Sequence, residues 1–289
     1  MSDPKSKADM IVVSNRLPVD HDPSVEGGWR RSPGGLVAAL EPVLQQTGGA
    51  WVGWPGTAGL ELEPFELDGM ELVPVTLTDE DVELYYEGFS NDTIWPLYHD
   101  VISPPAYHRE WWEAYVRVNE RFAAAAASVA AHGAVVWVQD YQLQLVPRLL
   151  RALRPDVVIG YFHHIPFPAY GLFAQLPWRK HVLAGLVGAD VIGFQRVQDA
   201  GNFTNAVRRQ LGFETKSGAI RVVADDGSVR TAVARAYPIS IDAQLYDEIA
   251  RRPEVQARAR EIRASLGDPQ TVIFGVDRLD YTKGIAQRL

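Results

Sequence analysis

No cysteine occurs among the 289 residues. That removes disulfides, a thiolate nucleophile and cysteine-ligated zinc from consideration. No run of 18 or more apolar residues is present, so no segment reads as a membrane span. Met1 to Asp9 is polar and charged and leads into a strand, without the apolar core of a secretory leader. A cytoplasmic setting fits these absences. Positive charge is short: 28 Lys and Arg stand against 36 Asp and Glu, a net charge of −8. A basic face for nucleic acid is therefore not expected, and any anionic ligand must be held by local cations. Lysine is confined to Lys5, Lys7, Lys180, Lys216 and Lys283.

Several catalytic signatures are missing as well. There is no Gly-x-Ser-x-Gly elbow, no Walker loop and no GxGxxG dinucleotide fingerprint. His163 and His164 are adjacent, with no His-x-x-x-His spacing or carboxylate cluster beside them, so neither a metal nor a cofactor is expected.

What is present is an alternation of apolar strands and helices. Strands are expected at Met10–Ser14, Trp51–Trp54, Ala134–Val138, Val157–Phe162 and Asp190–Phe194. Helices are expected at Leu36–Gln46, from Thr78 to Tyr86, and at Ala106–Ala131, Leu143–Leu153 and Val197–Leu211, with short ones between Tyr170 and Val187. A Gly/Pro-rich loop is read from Pro23 to Gly35. Ala219–Val223 and Val229–Ala236 flank Asp225-Asp226-Gly227, a hairpin signal. This pattern predicts an α/β fold with a doubly wound, mostly parallel sheet.

In such sheets ligands bind outside the carboxyl ends of the strands. The residues there are Asn15 and Arg16, Gln139 and Asp140, His163 and His164, Gln195 and Arg196, then Asp277 and Arg278. Asp140 suits sugar hydroxyls, and it also suits the N-cap of the next helix. Side chains alternate in direction along a strand, so one of His163 and His164 is expected to reach the site. Gly34 and Gly35 open a helix whose free N–H groups suit a phosphate, although a plain surface loop explains them equally well. Thr271–Val276 reads as a buried strand running into Arg278, Lys283 and Gly284, a cationic loop suited to a diphosphate. One strand cannot bury a core of its own. The chain is thus read as a complete domain over residues 1–238, then a connector and the opening of a second domain over 239–289.

Taken in order, the motifs resemble the trehalose-6-phosphate synthase family. They are Val13-Ser-Asn-Arg-Leu-Pro18, Ser32-Pro-Gly-Gly35, Trp51-Val-Gly-Trp54, Tyr85-Tyr86 through Trp95-Pro96, Gln139-Asp-Tyr141, His164-Ile-Pro-Phe-Pro168, Gly193-Phe-Gln195, Tyr237-Pro-Ile239 and Arg278-Leu-Asp-Tyr-Thr-Lys-Gly284. The resemblance implies two Rossmann-like domains in the glycosyltransferase-B architecture, the second truncated here and carrying the nucleotide-sugar site. It implies glucose transfer to glucose 6-phosphate with retention and without metal, from UDP-glucose by default, with ADP- or GDP-glucose as other donors. It assigns Arg16, Trp54, Tyr86, Trp95 and Asp140 to the acceptor. It assigns Gly34, Gly35, His164, Arg278 and Lys283 to the donor, and catalysis to Asp140, His164, Arg278 and Lys283. Gln139 and Gln142 depart from the family's His-Asp-Tyr-His. A relative with another phosphorylated acceptor, such as glycerol 3-phosphate, or a non-catalytic sugar-phosphate sensor would share these motifs. A homo-oligomer is compatible with them.

Overall fold

The computed structural model describes residues 7–288, apart from 33, 36, 38–39, 41–43, 45–46, 101–103 and 225. The chain divides into two compact units, Met1–Tyr237 and Pro238–Leu289.

The first unit is built on a ten-stranded sheet in the order β10-β11-β12-β9-β8-β7-β1-β4-β6-β5. Its parallel strands are β1 (Ala8–Arg16), β4 (Ala50–Trp54), β6 (Met70–Pro74), β7 (Ala130–Gln139), β8 (Val158–His163), β9 (Val191–Phe194) and β12 (Val229–Ala236). Three strands run antiparallel to their neighbours: β5 (Phe65–Leu67), β10 (Thr215–Lys216) and β11 (Ala219–Val223). From β1 the order runs one way through β4 and β6, and the other way through β7, β8, β9 and β12. The switch point thus lies at β1 and β7, which pair from Met10↔Val135 to Val13↔Val138.

Both faces of the sheet are covered. Ile11 and Val13 join the large core beneath the helix Arg109–Val129, whereas Val12 joins a smaller one with Val37, Leu40, Leu44 and Trp51. This is the alternation of a strand buried on both sides. The described positions of the helix expected at Leu36–Gln46 are helical, and Val37, Leu40 and Leu44 are buried on one face.

Several elements differ from expectation. The loop from Pro23 contains a strand, β3 (Trp29–Arg31), paired antiparallel with β2 (Val19–His21). Phe65–Leu67 and Met70–Pro74 form a hairpin over Asp68-Gly69, both at positive φ (51° and 77°). An Asp-Gly pair is a signal for that turn, and it went unread. Thr78 caps its helix with a capping box to Asp81, as its sequence suggests. The chain then continues past Tyr86 as a π-helix, Val82–Ile94, and a short α-helix, Trp95–His99. The long helix ends at Val129, because Ala130 already belongs to β7.

In the second unit, the helices Ala243–Ala250 and Pro253–Ser265 bury no residue. The expected strand at Thr271–Val276 is not formed. Ile273, Phe274 and Val276 are exposed, and no described residue of this unit supplies a ladder partner for them. An isolated apolar strand has neither hydrogen bonds nor a face to bury, so it does not persist. Among the described residues, no helix is long and apolar enough to cross a membrane.

Candidate active site

The carboxyl ends of β1, β4, β7 and β8 converge around the switch point. Arg16 ends β1. Its Nη2 meets Asp20 Oδ1 at 2.6 Å, and its guanidinium carbon lies 4.7 Å from the ring centre of Trp54 at the end of β4. Asp20 is in turn held by the Ser32 hydroxyl at 2.7 Å. Desolvation acts to raise the Asp20 pKa, but the Ser32 and Arg16 bonds outweigh it and leave it below the ordinary value. Gly56, at φ +89°, lets the backbone pass directly under the guanidinium, where a Cβ would collide with it. The cation is thus stacked, paired and backed by chain, with its side chain still partly exposed.

Trp54 donates its indole N–H to Thr57 O at 3.1 Å and lies 6.1 Å from the Tyr86 ring. Trp95 packs at 5.5 Å from Tyr141, the residue after Asp140. Tyr141 donates its hydroxyl to Asn91 Oδ1 at 3.1 Å, so the π-helical segment is tied to the loop after β7. Single π-turns often mark functional sites; here thirteen residues adopt that form. The wider winding accompanies close contact between Gly88 and the ring of Trp111. Phe89 and Trp112 are packing residues. Phe89 is fully buried, and Trp112 stacks on Trp178 at 5.3 Å.

Asp140 adopts φ 70°, ψ 175°, a conformation that non-glycine residues avoid and that clusters at functional sites. Its Oδ1 accepts the N–H of Tyr141 at 2.9 Å and of His164 at 3.1 Å. Burial pushes its carboxyl above the usual carboxylate range, opposed by the nearby His164 and by these two N–H donors. His164 Nε2 meets Gln139 Oε1 at 2.9 Å. Desolvation lowers the His164 pKa, partly offset by Asp140, so the ring is neutral at pH 7. His163 is fully buried against the Tyr161 hydroxyl at 2.9 Å, and burial drives its pKa down to about 3.

A buried polar layer carries this loop. Tyr115 donates its hydroxyl to Tyr141 O at 2.7 Å and accepts from Gln144 N at 3.1 Å. Asn119 donates to Gln142 O at 3.0 Å and accepts from Leu145 N at 3.1 Å. These supports, with Asp20 and Ser32 behind Arg16, were missed by sequence reasoning. Buried Tyr and Asn on a helix look like any core residue until their partners are known.

Gly34 and Gly35 are exposed, with space for a side chain at either, and Gly35 lies at the start of the helix. Arg278 and Lys283 belong to the second unit. There Asp280 caps the turn Tyr281–Lys283 through Thr282 N at 2.8 Å, and Gly284 follows at φ 60°.

A doubly wound sheet with a paired arginine, aromatics, a strained carboxylate and a neutral imidazole at its switch point has the features of a sugar-transfer fold. The chain belongs to glycosyltransferase family 20, whose model matches residues 8–289. It is 56% identical to a trehalose-6-phosphate synthase of Mycolicibacterium gilvum, over 99% of this chain and 59% of that protein. Among solved structures it resembles the Escherichia coli trehalose-6-phosphate protein bound with UDP-2-fluoro glucose. That match has a TM-score of 0.81 at 29% identity, over 96% of this chain and 59% of the other. It also resembles a UDP-forming α,α-trehalose-phosphate synthase of Burkholderia xenovorans in complex with glucose-6-phosphate. The TM-score there is 0.78 at 32% identity, over 96% of this chain and 60% of the other. The chain therefore spans about three-fifths of the length of the relatives it matches.

Proposed function

We propose that this chain is the acceptor-binding part, with the opening of the donor-binding part, of a retaining glucosyltransferase. The reaction moves glucose from UDP-glucose to glucose 6-phosphate and gives trehalose 6-phosphate. One observation carries the reading. Arg16 is held at the switch-point edge by Asp20 and Trp54, close to aromatic rings that suit a sugar.

In this reading Arg16, with Tyr86 and Trp95, takes the acceptor phosphate, and Trp54 backs it. Asp140 accepts hydrogen bonds from sugar hydroxyls. Its strained backbone and two N–H donors hold the carboxylate in one orientation, which serves positioning. His164, neutral, meets the donor glucose. Gly34 and Gly35 offer backbone N–H groups to the donor phosphates, and Arg278 and Lys283 take the diphosphate. As the bond from the anomeric carbon to the diphosphate breaks, negative charge grows on the departing oxygen, and cations placed there stabilise it. The new bond forms from the acceptor hydroxyl on the same face, and its proton passes to the departing phosphate oxygen. No protein nucleophile is required.

Calorimetry tests the acceptor site. Glucose 6-phosphate should bind saturably, and glucose about tenfold or more weaker. Arg16→Ala should weaken the phosphate ester by a similar factor and leave glucose unchanged. Glycerol 3-phosphate, titrated alongside, separates a related acceptor. Equal affinities for wild type and variant would remove Arg16 from the site.

A further inference from the structure

The amino-end edge of the same sheet carries a second polar concavity that the proposed reaction does not use. Its volume is about 530 Å³, within the range of small-molecule sites. Arg148, Arg151, Lys180, His181 and Arg230 line it, and among the described residues no carboxylate does. Its position follows from topology. Arg230 is the second residue of β12, and Val222 and Val223 end the antiparallel β11 beside it. Arg16, Asp140 and His164 all follow the opposite, carboxyl ends of their strands.

The charge of Arg151 and Arg230 is only partly neutralised from behind. Arg151 Nη2 bonds Asp190 at 2.5 Å, and Arg230 Nη1 lies 4.0 Å from the same carboxylate. One carboxylate thus serves two guanidinium groups. Their remaining bonds go to neutral carbonyls: Arg151 to Val157 O at 2.6 Å, Arg230 to Ala189 O at 3.0 Å and to Val187 O. Arg151 Nε is buried with no protein acceptor. Burial and the neighbouring Arg151 lower the Arg230 pKa, the direction expected where positive charges crowd. Lys180 is exposed and makes no ion pair among the described residues. In a chain of net charge −8, such a cluster of cations stands out as a local positive patch against the general field. The other walls, including Leu211, Phe213 and Val222, are apolar.

We propose that this cavity binds a small organic phosphate, its phosphate among Arg151, Arg230 and Lys180 and its body against the apolar wall, at a site separate from the acceptor site. Guanidinium forks match phosphate geometry, and the apolar wall favours an ester over the bare ion.

Calorimetry on this chain at low ionic strength decides it, with inorganic phosphate and phenyl phosphate as probes. Lys180→Glu is the variant, because Lys180 is exposed and its replacement leaves the core intact; thermal melting checks this. Lys180→Gln serves as a second, milder variant. The expected result is a saturable phosphate component that Lys180→Glu weakens about tenfold and Lys180→Gln less. Arg16→Ala should leave that component in place, and phenyl phosphate should bind it more tightly than phosphate. A component lost in Arg16→Ala and kept in Lys180→Glu belongs to the acceptor site and overturns the proposal. So does equal binding by all variants, or a preference for the bare ion.

Discussion

Gln139 and His164 join neighbouring strand ends side chain to side chain, Oε1 to Nε2 at 2.9 Å. With the amide oxygen facing the ring, the contact requires a proton on Nε2 and leaves Nδ1 as an acceptor. Gln139 is fully buried, and its own amide nitrogen has no partner in the protein. Gln139 is expected to select the tautomer of His164, the histidine proposed to meet the donor. Nitrogen NMR of the imidazole should show a single Nε2–H tautomer in the wild type. Gln139→Leu should give a mixture; an unchanged tautomer would remove Gln139 from this role.

Under the proposed function Asp20 acts as a positioning residue for Arg16. Asp20→Asn keeps the size of the side chain and removes the charge that holds Arg16. Partly exposed ion pairs contribute roughly 0–1 kcal/mol, so the melting temperature should barely move. Affinity for glucose 6-phosphate should nevertheless fall several-fold, because the guanidinium loses its fixed direction. Calorimetry and melting on one sample separate the two effects.

The fully buried His163 makes folding stability depend on pH. Its folded pKa of about 3 lies below the ordinary 6.5. The unfolded chain therefore takes up a proton that the folded chain refuses. The contribution is complete above pH 6.5 and is lost as pH falls from 6.5 toward 3. Between pH 7 and pH 5 this one group accounts for a loss on the order of 2 kcal/mol. Urea unfolding at the two pH values should show that loss, and His163→Leu should reduce the difference.

Tyr115→Phe should strip the buried layer under Asp140. The Gln144 N–H would lose its acceptor, while the Tyr141 carbonyl would keep the Gln144 side-chain amide at 3.1 Å. An unsatisfied buried group costs about 1–3 kcal/mol, so a fall of that size is expected in urea unfolding. Exchange of the Gln144 amide proton should quicken more than that of sheet amides in β1.

Gly188→Ala tests a contact between chain segments. A Cβ there would run into the backbone N and Cα of Arg148. Backbone cannot yield as a side-chain tip does, so a loss of about 1–3 kcal/mol is expected. Gly201→Ala, where a Cβ meets nothing within 4 Å, should be neutral or slightly stabilising, since alanine favours a helix. Melting of both variants provides the comparison.

Much of this molecule is written locally. Apolar strands that alternate with helices led to the parallel sheet, and the helix Val197–Leu211 and the hairpin strands Ala219–Val223 and Val229–Ala236 lie where their patterns end. Strand-end residues such as Arg16, Asp140 and His164 were legible because a polar side chain after a buried strand must sit at an edge. The Asp68-Gly69 turn is legible too, since Asp-Gly favours the positive φ such a turn needs. Tertiary structure alone decided the rest. Strand order determines which edge residues become neighbours, and Arg16 meets Trp54 only because β1 pairs with β4. The π-helical winding after Asp81, the strained backbone at Asp140 and the burial of His163 against the rings of Tyr98 and Phe194 arise from packing against distant segments. Thr271–Val276 shows the converse. Its sequence has the apolar, β-branched character of a strand, yet a strand exists only as part of a ladder, and composition cannot supply the neighbour.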